Sequence, residues 1–103
     1  MNRYNLIPKQ LIDKSIDLSE LGVNEVAWLF DDALEVISVL RKANVVILGG
    51  DVLNYTKGKR VSYALSAWHY DKADSLESVN DALTYIENWK RKYGDHFAYV
   101  LVF

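Results

Sequence analysis

The residues able to do acid, base or ligand chemistry in this chain are few and widely spaced. His69 closes the aromatic run Trp68-His69-Tyr70-Asp71, and His96 follows Gly94-Asp95. Neither histidine has a second histidine or a cysteine at metal-ligand spacing, and the chain contains no cysteine. No metal site, cofactor or thiolate nucleophile is therefore expected. An acid/base couple of Asp51 with His69 would need the two to meet across a hairpin. A turn near residues 56–60 instead sets Asp51 nearer Leu65 in plain register. No serine sits in a nucleophile-elbow pattern. Gly49-Gly50-Asp51 lacks both the long glycine loop and the lysine of a phosphate cradle. The expectation is a protein that is not an enzyme.

Binding chemistry is better represented. Tyr55, Tyr63, Trp68 and Tyr70 gather on one expected hairpin and its exit, and Tyr and Trp are the side chains that most often anchor interfaces. The competing reading is that they cover a sheet, and for Trp68 it is the stronger one. Asp51 follows two glycines at the end of an apolar run, where an unpaired charge is costly. It is either a bulge acid bonded to nearby amides or an exposed acid that meets a partner.

The net charge of −2 hides an uneven distribution. Residues 13–36 carry seven acids (Asp13, Asp17, Glu20, Glu25, Asp31, Asp32, Glu35) against Lys14, and residues 71–87 carry five against Lys72. Such runs are ordinarily solvated faces and helix ends. They also form a field that attracts a basic partner and repels nucleic-acid phosphates, so nucleic acid is not an expected ligand. Asp31, Glu35, Asp74 and Glu77 are the acids placed to meet such a partner.

The elements that must position these residues follow from periodicity. The opening Met1-Asn2-Arg3-Tyr4 has no apolar signal core, and no apolar run reaches membrane-spanning length, so a cytoplasmic protein without a membrane partner is expected. The 103 residues fit one domain, 1–103. Residues 8–22 read as short helical turns, and residues 24–29 as a strand. Asp32 and Glu35 have capping-box spacing ahead of the apolar stripe Ala33, Leu34, Ile37, Leu40, which predicts a helix over residues 32–43. Residues 45–55 read as a strand interrupted by Gly49 and Gly50, which mark a bulge or a close backbone approach. A turn at residues 56–59 leads to a second strand over residues 60–70. Asp74 and Glu77 repeat the capping-box spacing before a helix that Gly94 ends. Residues 97–103 are apolar throughout, which predicts a central strand. The order is βαββαβ: an α+β, two-layer sandwich of ferredoxin-like type, with two main helices on a four-stranded, mainly antiparallel sheet.

The run Val46-Ile47-Leu48-Gly49-Gly50-Asp51-Val52, with Ala27-Trp28 before an acidic helix start, Trp68 near the end of an aromatic strand, an acidic capped helix and an apolar last strand, resembles the Immunity protein 40 family. The resemblance covers about residues 18–103. It implies a small bacterial cytoplasmic protein that neutralises the toxin of a neighbouring gene in a polymorphic toxin system. The implied partner is a toxin domain, expected to be basic, with a nuclease as one chemistry that fits. The implied mechanism is occlusion, with Gly49, Gly50, Asp51 and Trp68 as a hypothetical binding motif. Two readings stand beside it: a small ligand-binding or enzymatic domain using Asp51 and His69, and a homodimeric structural module using an open sheet face. The expected state is a monomer or weak homodimer.

Overall fold

In a computed structural model, which describes residues 3–55 and 64–103 (backbone only at Arg3, Glu20 and Ala64), the chain opens with a 3-10 turn over Arg3–Leu6 and a short helix α1 (Lys9–Asp13). Pro8 stands just ahead of α1, where its fixed φ suits helix entry. A two-residue strand β1 (Ile16–Asp17) and a 3-10 turn over Ser19–Leu21 follow. Next come β2 (Val26–Leu29), α2 (Phe30–Lys42), β3 (Gly49–Asn54), β4 (Ala64–His69), α3 (Ser75–Tyr93) and β5 (Phe97–Val102). The expected turn at residues 56–59 and Tyr63 lie outside the described residues.

The α+β class holds, but the sheet differs from expectation in two ways. It has five antiparallel strands instead of four, in the order β1-β2-β5-β3-β4. Its central strands are also not those of a ferredoxin-like sandwich, where the last strand lies at an edge. Here β5 is bonded to β2 on one side and β3 on the other. Its four middle residues, Ala98 to Leu101, are all buried, as a strand apolar at every position requires. The extra strand β1 is an edge piece that no alternation of its two residues could announce.

The main core lies between the sheet and the helices. Trp28, Val52, Trp68, Tyr99 and Leu101 from the sheet meet Ala33, Val36, Ile37 and Leu40 of α2 and Val79, Ala82 and Ile86 of α3. The N-terminal segment joins this layer through Ile7 and Leu11, and the Trp28 indole Nε1–H donates to the Leu11 carbonyl at 2.8 Å. On the opposite face, Leu18 and Leu21 cover Ala27, Leu53, Ala98 and Val100 as a smaller cluster. The N-terminal segment therefore wraps the β2 side of the sheet and reaches Leu53, while Leu65, Ala67 and His69 on the outer face of β4 stay exposed.

Two local details depart from the periodicity reading. The apolar run at residues 45–48 is not strand; β3 begins at Gly49. Ile47 is fully buried there, with its N–H donating to the Ser78 hydroxyl at 2.9 Å. Helix α2 starts at Phe30, two residues ahead of the expected cap, and Leu29 at its N-cap makes no side-chain bond. Asp31 and Asp32 instead occupy the first turn, where their charge complements the helix dipole. In α3 the cap is where the spacing put it: the Asp74 carboxylate accepts from the Glu77 N–H at 3.1 Å.

Candidate functional site

Helices α2 and α3 run antiparallel across the sheet, so the start of α2 meets the end of α3. Between them, at the end of the sheet where β2 stops and β5 begins, lies a cavity of about 380 Å³. Its lining comes from three separate stretches: Leu29 to Asp32, Tyr55, and Lys90 with Gly94 to Phe97 and Tyr99. The Tyr55 N–H donates to the His96 carbonyl at 2.7 Å and fixes the exit of β3 against the loop before β5. That loop carries two left-handed residues, Gly94 (φ 82°) and His96 (φ 76°).

Among the described lining residues, three aspartates, one lysine and four aromatic rings set the electrostatics. The Lys90 ammonium donates to the Asp95 carboxylate at 2.5 Å and lies 4.9 Å from the centroid of the Phe30 ring. That hydrogen bond and its charge hold Asp95 below the ordinary carboxylate value. Asp32 has a looser ion pair with Lys14 at 3.7 Å, while Asp31 has no ion pair with a described residue. Tyr99 is 1% exposed, and no described residue bonds its hydroxyl. Burial, with the charge of Asp95 behind it, pushes that phenol up to about 12.

The open sheet face is a second surface. Asp51 pairs in register with Ala67, and Gly49 with His69, so Asp51, Ala67 and His69 share the outer face with Leu65. Leu65 is 55% exposed, and the ladder shifts register beside it, between Val52 and Leu53. Asp51 is thus opposite Ala67 and not Leu65, with His69 its diagonal neighbour. Asp51 is half-buried, lies beside that register shift and makes no hydrogen bond with a described residue. Neither Asp51 nor His69 lines the cavity.

The other sequence-derived candidates scatter. Trp68 is 6% exposed on the inner face, stacked on Tyr85 at 4.8 Å; it is core and cannot present itself to a partner. Tyr70 is buried too, its hydroxyl 3.0 Å from the Glu77 carboxylate and 3.0 Å from the Asp74 carbonyl. Burial first, and the Glu77 bond second, raise its pKa. Asp31 and Glu35 are exposed at the cavity end of α2, whereas Asp74 and Glu77 are exposed at the opposite end of the helical layer. Antiparallel packing therefore divides the four acids into two pairs.

Comparison with known families decides the identity. The model of the family described as Immunity protein 40 matches residues 17–103. The chain belongs to the Immunity protein 40 family. No curated protein and no solved structure matches it.

Every lining residue of the cavity falls inside the part that matches Immunity protein 40, and so does the outer face of β3 and β4. The segment that carries Ile7 and Leu11 precedes it. Lys90, Asp95 and Tyr99 do not stand out in the sequence because each has a local explanation: a helix C-terminus, a turn, a strand interior. The available signal was placement. Asp31-Asp32 directly after one strand and Asp95-His96 directly before another must come together once those strands pair.

Proposed function

We propose that this immunity protein binds a cognate bacterial toxin domain and neutralises it by covering its active surface, without chemistry of its own. Membership of the Immunity protein 40 family over residues 17–103 is the observation that carries the reading. Two exposed regions suit a protein partner: the acid-rimmed cavity end with Asp31 and Glu35, and the open sheet face with Asp51, Leu65 and His69. Opposite potentials would speed docking on a basic toxin face such as that of a nuclease, and would favour the right partner over others. The protein acts from the cytoplasm in this reading, as a monomer or weak homodimer.

The test is co-expression with the toxin domain encoded beside this gene. Survival of the cells and co-purification of the pair are expected; death of the cells with no complex would sink the reading. Charge reversal at Asp31 and Glu35, set against reversal at Asp74 and Glu77, then tells which end of the helical layer faces the toxin.

A further inference from the structure

The cavity holds more than an acidic cluster. Tyr99 supplies the independent observation: a side chain 99% out of water that lines the cavity while no described residue bonds its hydroxyl. The hydroxyl is not among the side-chain atoms sealed from water without a partner, so it is open to solvent and free to bond a ligand atom. Since Tyr99 is otherwise buried and lines the cavity, that opening lies on the cavity side.

The sign of the ligand follows from what else is there. The positive end of α2 is met by its own Asp31 and Asp32, and the negative end of α3 by its own Lys90 to Lys92. The two helix ends oppose each other, so the side chains decide. Among the described lining residues three carboxylates stand against the one ammonium of Lys90, which disfavours an anion. A resident cation already shows the mode of binding, with the Lys90 ammonium on a carboxylate and over an aromatic ring. Phe30, Tyr55, Phe97 and Tyr99 give flat apolar walls, and carboxylates at the rim give paired acceptors. That combination suits a planar guanidinium better than a compact ammonium, because the guanidinium stacks and forks at once.

We infer that the cavity is a socket for the guanidinium of one arginine side chain of the partner toxin, with Asp31 and Asp95 as its carboxylates and the Tyr99 hydroxyl as a further acceptor. The inference rests on the immunity reading and names the chemistry of its contact. Lys90 holds Asp95 in the free protein and gives way, or moves aside, when the arginine enters.

Two measurements test it. In the first, N-acetyl-arginine amide is titrated into the whole chain and followed by amide resonances. Shifts at His96, Phe97 and Tyr99 are expected, lost in Asp95→Asn and weaker with N-acetyl-lysine amide; an unmoved cavity overturns the inference. In the second, the Kd of the toxin domain is measured for the wild type, Asp95→Asn, Asp31→Asn and Tyr99→Phe. A rise of at least about tenfold is expected for each aspartate variant. Tight binding by all variants overturns the socket and leaves the immunity reading standing. Failure of the wild type to bind the toxin sinks the immunity reading itself, and an arginine shift then marks a guanidinium site for something other than a toxin. Self-association that Asp95→Asn abolishes would give the socket to a second copy of the chain, which also overturns the assignment.

Discussion

At Gly50 a side chain has nowhere to go. A Cβ there would overlap the Val100 carbonyl oxygen on one side and the Trp68 indole on the other. The indole lies across this position on its way to stack on Tyr85, so Gly50 is what lets a tryptophan pack flat on β3. Gly50→Ala must therefore displace the β5 backbone or the indole, and a loss of about 2–3 kcal/mol in urea unfolding is expected. An unchanged midpoint would show that the sheet absorbs the methyl group. Tyr99 gives a prediction of another kind. Its phenol is pushed from 10.0 to about 12 in the folded protein, so above pH ~10 the unfolded chain loses this proton before the folded one. The contribution is whole below pH ~10 and is lost as pH rises through about 12. Stability measured across that window should decline more steeply in the wild type than in Tyr99→Phe. Parallel curves would mean that the hydroxyl titrates as it does in water.

Helix α3 opens on a cap that spacing announced, and α2 opens without one. Asp74→Ala removes the acceptor of the Glu77 N–H and is expected to cost about 1 kcal/mol, with Asp74→Asn keeping most of it because an amide oxygen caps as well. Equal losses for the two would point to charge and not to the cap. The contrast with α2 shows where periodicity stops informing. Asp32 and Glu35 have the same spacing as Asp74 and Glu77, but the chain leaves β2 directly into helix at Phe30, and the acids fall inside the first turn. Spacing reports a possible cap; the preceding strand's end decides whether the backbone is extended there. The central place of β5 was readable from residues 97–103 because a strand without a polar face needs neighbours and cover on all sides. Which strands flank it was not readable, since pairing depends on how two crossovers pass over the sheet. The cavity was hidden for the same reason: Leu29 to Asp32, Tyr55 and Lys90 to Tyr99 are neighbours only through that pairing. Trp68, for which cover of the sheet is the stronger reading from sequence, and Tyr70, a contact candidate by type, are both buried in the core.

The molecule as a whole is held together across a boundary that the family match does not include. Residues 17–103 match Immunity protein 40, yet the main core borrows Ile7 and Leu11 from the segment before it, each 5% exposed. Tyr4 sets its ring edge-on to Trp28 at 6.1 Å and to Phe103 at 5.7 Å, so the segment touches the first and last long strands' layer at once. The Leu11 carbonyl is the acceptor for the buried Trp28 indole N–H. Taking the segment away exposes a tryptophan that is 0% accessible and leaves its N–H to water. It also gives up the burial of two large aliphatic side chains, about 1.5–3 kcal/mol each before the entropy of ordering the segment is subtracted. Against a typical domain stability of about 5–15 kcal/mol this is a large share. A chain that starts at Ser15 is therefore expected to melt well below the full chain, with Trp28 newly open to acrylamide quenching. A synthetic peptide of residues 1–14 supplied in excess should restore part of the difference, because the groove it leaves is built from the rest of the core. Identical melting and quenching in the shortened chain would mean that β2 and α2 close over Trp28 unaided, and that the segment is an ornament on a core complete without it.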